Sequence, residues 1–192
     1  MSTVPMPRSP SRHRITVEEY HRMAEVGLLA PDARVELIEG EIIDMAPIGN
    51  PHNSAVDMLN QRLTLAVSGQ AIVRVQGSFR LSGFTEPQPD VILLKPSDDF
   101  FWSRFATGDD TLLVIEVSDS TFRYDGKVKA PLYARYGIPE YWIVEIEQAR
   151  WHFLRSPVDG QYTDESFTDT PGVTELPGLG GKTVDLGKLL KS

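Results

Sequence analysis

The sequence predicts an α/β domain built on a central mixed β-sheet with flanking helices, and three observations carry that expectation. Apolar, β-branched runs such as PQPDVILL (Pro87–Leu94) and TLLVIEVSDST (Thr111–Thr121) have strand length. Between Asn50 and Gly69, the residues Val56, Leu59, Leu63 and Val67 form one helical face. Strand-like and helix-like segments then follow one another in mixed order, as suits one sheet covered by helices.

Residues 1–14 combine Pro, Ser and Arg without an apolar stretch, so they are expected to form a disordered basic tail, with residues 15–192 as a single domain. Thr16 with Glu19 three residues on is a capping box that starts a helix ending near Gly27. The run RVELIEGEIIDM alternates apolar and polar residues around Glu39-Gly40, a hairpin signal. Asn50-Pro51 opens the second helix and Gly69 ends it. Strands are expected at Ile72–Gln76 and Phe79–Leu81, then at the two long apolar runs. From Asp125 to Tyr136, the residues Val128, Leu132 and Tyr136 supply the apolar stripe of a third helix, which Pro131 would delay or kink. Tyr141–Glu147 pairs with Arg150–Arg155, and the remainder suggests edge strands near Tyr162–Phe167 and Val173–Leu176.

A chain of 192 residues can bury one sizeable core. It holds no cysteine, which excludes disulfides and thiolate-bound zinc and suits a reducing cytoplasm. No apolar run is long enough for a membrane span. The net charge of −8 runs against binding a phosphate backbone, unless Arg62, Arg74 and Arg80 with the tail's Arg8, Arg12 and Arg14 gather into a basic surface.

The chemistry lies in two acids set among apolar residues. A carboxylate in a buried strand costs several kcal/mol (about 3–5 when unpaired) unless it meets a partner or a cation, so Asp90 and Glu116 are the prime candidates. Side chains alternate faces along a strand, placing Glu116 with Val114 and Ser118, and Asp90 with Ile92 and Leu94. If the loop from Lys95 to Asp110 joins the strands antiparallel, Asp90 faces the region from Glu116 to Ser118. Two carboxylates that close repel unless a divalent cation lies between them, and hard oxygen ligands suit Mg²⁺ or Mn²⁺. Asp125, Lys129 and Tyr133 stack four apart on a helix, with the Lys129 ammonium leaning back toward the end of the Glu116 strand.

Pro-Asp at one strand start, Glu on the next strand and a lysine nearby resemble the PD-(D/E)XK nuclease superfamily. The ordered set VELIEGEI, PQPDV, IEVSDST and YDGKVKAPLYARYGIPEYWIVE, from about Val35 to Glu145, more closely resembles the Uma-type family of restriction-endonuclease-like proteins. The resemblance implies a restriction-endonuclease-like core and a Mg²⁺ ion, replaceable by Mn²⁺, held by Asp90, Glu116 and the Val117 carbonyl. It implies an endonuclease acting on nucleic acid, DNA before RNA, and leaves room for a homodimer. Where the superfamily's common form has Lys two residues after Glu, this chain has Ser118, so Lys129 is implied as the replacement. Glu36 is implied as an auxiliary acid that positions the attacking water, against the plainer reading of a solvent-facing strand residue.

Other polar residues read more plainly. His52 is a capping or surface histidine before it is a phosphate contact, and Gln76 is a cross-strand residue as readily as a cleft residue. Asp125 is a helix cap or a partner of Lys129 and not a ligand, and Tyr133 packs. The aromatic residues Tyr141, Trp142 and Trp151 belong to the core, while Asp98-Asp99 and Asp109-Asp110 are solvated loop residues. Two rival functions stand beside the nuclease. One is a catalytically silent binding module, favoured by the acidic balance and the missing strand lysine. The other is metal-free acid/base hydrolysis of glycosides by Asp90 and Glu116, which would leave Lys129 without a task.

Overall fold

The computed structural model of the chain describes residues 12–187 and 190. Its centre is a six-stranded mixed sheet in the order β3-β4-β5-β6-β7-β8, formed by β3 (Ile72–Val75), β4 (Val91–Leu94), β5 (Thr111–Ser118), β6 (Glu140–Glu145), β7 (Arg150–Val158) and β8 (Gln161–Thr168). All neighbours pair antiparallel except β5 and β6, which run parallel and are joined by a helical crossover. The expected α/β architecture with a central mixed sheet is therefore the one observed.

Strand periodicity divides the core between the two sheet faces. Val91, Leu93, Leu113, Ile115 and Val117 point to one face, where they meet Val56, Leu59, Leu63 and Val67 of α2 (Asn50–Val67). Ile92, Leu94, Val114, Tyr141 and Ile143 point to the other, against Ala130, Tyr133 and Ala134 of the crossover. Helix α1 (Val17–Glu25) starts at the expected capping box, with Thr16 and Glu19 satisfying each other's backbone donors.

The hairpin of β1 (Val35–Ile38) and β2 (Glu41–Asp44) turns at Glu39 and Gly40, whose φ values of 51° and 84° are those of a primed turn. Its first strand departs from simple alternation, because all four β1 residues are buried. The Leu37 N–H donates to the Glu86 carbonyl and the Glu86 N–H returns the bond to Leu37, so the strand is covered on both sides and Glu36 faces inward. Of the expected disordered tail, residues 1–11 lie outside the described residues. Arg12 lies 3.6 Å from Glu41, and Arg14 Nε donates to the Glu39 carbonyl at 2.8 Å.

Three expected elements need correction. No strand forms over Phe79–Leu81: Gln76, with φ 47°, turns the chain away, and Arg80 makes only an isolated bridge to Thr107. The Lys129 helix is three joined pieces, α3 (Phe122–Tyr124), a π-helical turn (Asp125–Lys129) and α4 (Ala130–Arg135). Its expected apolar stripe is buried only at Leu132, which is 1% exposed, since Val128 is 41% exposed while Asp125 and Lys129 are each only 4% exposed. Last, β9 (Val173–Glu175) pairs with β10 (Thr183–Asp185), a strand too short to show a period. Trp142, Tyr141 and Trp151 are core residues, as expected.

Candidate active site

Asp90 immediately precedes β4, and the β4–β5 register pairs Val91 with Ile115, so Asp90 meets Glu116 and Val117. The two acids are tied through each other's backbone. The Asp90 N–H donates to Glu116 Oε2 at 3.3 Å, and the Val117 N–H donates to Asp90 Oδ2 at 2.8 Å. Both carboxylates are buried.

The crossover then delivers the cation. Lys129 Nζ donates to Glu116 Oε1 at 2.8 Å and lies 3.1 Å from Glu36 Oε1. The Tyr133 hydroxyl, one turn later, donates to the same Glu116 oxygen at 3.2 Å. Glu36 is fixed in turn by the Gln88 N–H at 3.2 Å. Asp125, one turn before Lys129, accepts from the Ser118 and Thr121 hydroxyls, each at 2.7 Å. At the start of α2, His52 Nε2 lies 3.1 Å from Asp90 Oδ2, while its Nδ1 is buried without a partner among the described residues. Lys127 is exposed, on a different side of the turn from Lys129.

These residues surround a cavity of about 420 Å³ whose lining places Glu36, Asp44, Asp90, Glu116, Asp119 and Asp125 against only Arg34 and Lys129 as fixed cations. Burial pushes the Glu116 carboxyl well above its ordinary value, and Asp90, Asp125 and Glu36 add to the rise against the opposing pull of Lys129. Asp125 is raised too, again first by burial, though Lys129 and the two hydroxyls hold it down in part. Burial by itself would depress Lys129, but Glu116, Glu36 and Asp125 outweigh it and keep the ammonium charged. The same acidic surroundings and burial raise the Tyr124 hydroxyl to about 12.

Asp90 Oδ1 accepts no hydrogen bond among the described residues, and Glu116 Oε2 takes only the long bond from the Asp90 N–H. One oxygen on each acid thus stays open toward an excess of negative charge. Among the described residues, no three acidic or histidine side chains form a ready-made metal cage. The donor set nonetheless suits Mg²⁺, which commonly takes one or two carboxylates and keeps several waters.

The structure brings Asp90, Glu116, Val117, Lys129 and Glu36 to one cavity, and it corrects several neighbouring assignments. Glu36 is buried and not solvent-facing, because its carboxylate lies against the Lys129 ammonium and the Gln88 N–H. His52 is neither cap nor surface residue; it lies in phase with Val56, Leu59 and Leu63, a signal the helical pattern already contained. Asp125 is no N-cap, since it sits inside the continuous helical run, and Tyr133 both packs and bonds Glu116. Gln76 is absent from the lining, its carbonyl accepting from the Gln88 amide. Asp110 is held by Arg104 and half-buried, and Asp99 organises its own loop, so neither is merely solvated. The arginines named as a basic surface are engaged apart: Arg62 with the Asp185 carbonyl, Arg80 with Glu18 and Glu86, and Arg74 with the Ser78 carbonyl. Arg8 lies outside the described residues.

Comparison with known proteins gives one family and one fold. The family model described as "Uma2: Putative restriction endonuclease" matches residues 17–187. No curated protein matches the chain. A solved structure described as a putative nuclease belonging to DUF820, from Anabaena variabilis, superposes with a TM-score of 0.65 at 15% identity, over 86% of this chain and 90% of that one.

Proposed function

We infer that this chain, which belongs to the Uma2 family, is a nuclease, and we propose that it is a Mg²⁺-dependent endonuclease whose substrate is DNA. The observation that carries the reading is the Lys129 ammonium, buried between Glu116 and Glu36 in the lining of an acid-rich cavity. Asp90 and Glu116, with the Val117 carbonyl, would hold Mg²⁺ or Mn²⁺. Bound there, such an ion lowers the pKa of water and stabilises a leaving oxygen.

The chain's own residues do the rest. Lys129 opposes the negative charge that grows on the phosphoryl oxygens in the transition state, at a buried point where such opposition is strong. Glu36 holds the ammonium from its other side and is placed to accept a proton from attacking water. Tyr133 restrains Glu116 Oε1, leaving Oε2 to face Asp90. His52 restrains Asp90 in the same manner. Met45, Ala46, Pro47 and Ile48 give the cavity an apolar wall alongside its acids.

Purified protein given Mg²⁺ or Mn²⁺ should nick supercoiled DNA, and Asp90→Ala or Glu116→Ala should abolish nicking while circular dichroism stays native. Nicking that survives either change, or that persists in EDTA, would refute the assignment. One observation favours a second reading. Ser118 stands where the superfamily's common form has its lysine, and its hydroxyl is spent on Asp125, as suits a silent binding module. In that case the protein would bind nucleic acid with no turnover under any divalent ion.

A further inference from the structure

A second cavity, of about 500 Å³, is chemically unlike the first: no carboxylate lines it, and its charged residues are Arg74 and Arg104. In a chain of net charge −8 that is a local reversal. Its outer wall is the loop between β4 and β5, which shows water an unusual run of aromatic residues. Trp102 is 93% exposed, Phe100 71% and Phe105 42%. Such concentrated apolar exposure marks an interaction site.

The loop is built to hold that display. Asp99 accepts from the Ser97 hydroxyl at 2.7 Å, the Phe101 N–H at 3.0 Å, and the Ser103 N–H and hydroxyl at 3.1 and 2.6 Å. Phe100 and Phe101 are both left-handed, with φ of 53° and 62°, a conformation that bulky residues rarely adopt. Phe101 is the anchored floor, with the Arg74 and Arg104 guanidinium carbons 5.6 and 4.9 Å from its ring centroid. Arg104 is paired with Asp110, whereas Arg74 makes no ion pair among the described residues.

The cavity also lies on the same side of the sheet as the candidate active site. Arg74 pairs with Ile92, two residues beyond Asp90 on the adjacent strand. Directly paired residues share a face, and so do residues two apart. The Arg74 backbone thus lies about 7 Å along and about 5 Å across from Asp90.

We propose that the Phe100–Phe105 loop and Arg74 form a stacking platform that grips unpaired bases of the nucleic acid cut at the neighbouring acidic site. The inference rests on the nuclease reading and adds a substrate preference to it. Exposed rings accept the faces of bases regardless of sequence, and an unpaired arginine meets the adjoining phosphate. Duplex DNA, its bases already stacked, has no free face to offer.

Tryptophan fluorescence tests this directly, because Trp142 and Trp151 are buried and Trp102 alone is exposed. Full-length protein in EDTA, titrated with an oligothymidylate, should show quenching and bind it more tightly than a duplex of equal length. Trp102→Ala should weaken single-strand binding about 5- to 150-fold, the range for one stacked base. Trp102→Phe should recover most of it, and Phe100→Ala and Arg74→Ala should each weaken it. If these variants match the wild type, the platform is refuted, and the nuclease reading stands wherever the wild type cleaves nucleic acid with a divalent ion. If the wild type neither binds nor cleaves nucleic acid, both fall. If Trp102→Ala turns a dimer into a monomer in sedimentation with single-strand affinity unchanged, the loop docks a second copy of the chain and the platform is refuted.

Discussion

Lys129 shows what one buried side chain contributes. Removing one partner of a buried ion pair leaves an uncompensated charge and costs about 3–5 kcal/mol. Lys129→Met should therefore lower stability by about that much in urea unfolding near neutral pH, and Glu36→Gln added to it should restore a part. Lys127→Ala, on an exposed residue, should stay within about 0.5 kcal/mol of the wild type. A larger effect at Lys127 would mean that the wrong lysine has been placed in the site. Glu116 supplies a second test. Because its folded pKa is raised above 4.5, the folded chain keeps a proton that the unfolded chain has released. Stability in EDTA should therefore fall as pH rises above 4.5 and level off beyond the raised value, and Asp125 adds a loss of the same sign from 3.8. Glu116→Gln should flatten the profile, and a flat wild-type profile would contradict the burial of that acid. Asp90, Glu116 and Lys129 were legible in the sequence because acids inside apolar runs and a lysine beside a helical stripe stand out. His52 was not, since its place at the helix start suggested a cap, although it lies in phase with Val56, Leu59 and Leu63.

At the scale of elements, the crossover between β5 and β6 departs most from what the sequence suggests. Helical spacing offered two stripes, the apolar Val128, Leu132 and Tyr136 and the polar Asp125, Lys129 and Tyr133. The polar one is buried throughout, with Glu116 and Glu36 holding Lys129, whereas of the apolar one only Leu132 is buried and Val128 is left to solvent. A hydrophobic period cannot reveal this. The π turn lies directly before Pro131, whose missing N–H interrupts the regular ladder, and such turns often occur at functional sites. Gly126 within it meets nothing within 4 Å of an added Cβ and has no positive φ. Gly126→Ala should thus raise stability by about 0.4–1 kcal/mol in urea unfolding without loss of activity. Destabilisation would show that the turn needs glycine's freedom. Local pattern placed the hairpin, α2, β5 and the β6–β7 pair well, through the Glu39-Gly40 turn, a helical stripe of several turns and apolar runs of strand length. It failed at Phe79–Leu81 and at β10, where tertiary hydrogen bonds and not local pattern decide the backbone.

For the molecule as a whole, charge is the governing quantity. A net charge of −8 with several acids facing one cavity makes the cation-free protein self-repelling at its centre. Mg²⁺ at about 100 times its dissociation constant should stabilise the fold by about 2.7 kcal/mol. Thermal unfolding should register this as a raised midpoint near pH 8, and the gain should shrink toward about pH 5 as protons compete for the same oxygens. A midpoint indifferent to Mg²⁺ at both pH values would favour the silent binding module. Among the described residues, no helix is long and apolar enough to cross a membrane.

The parallel pairing of β5 with β6 carries a consequence for folding order. Strands β3, β4 and β5 can meet as an antiparallel meander, but β6 can join them only after the chain has returned along the sheet through the segment that bears Lys129. Pairing of this kind closes a long loop and is slow. The parallel pairing of β5 with β6 and the arrival of Lys129 beside Glu116 are thus coupled, since one crossover carries both.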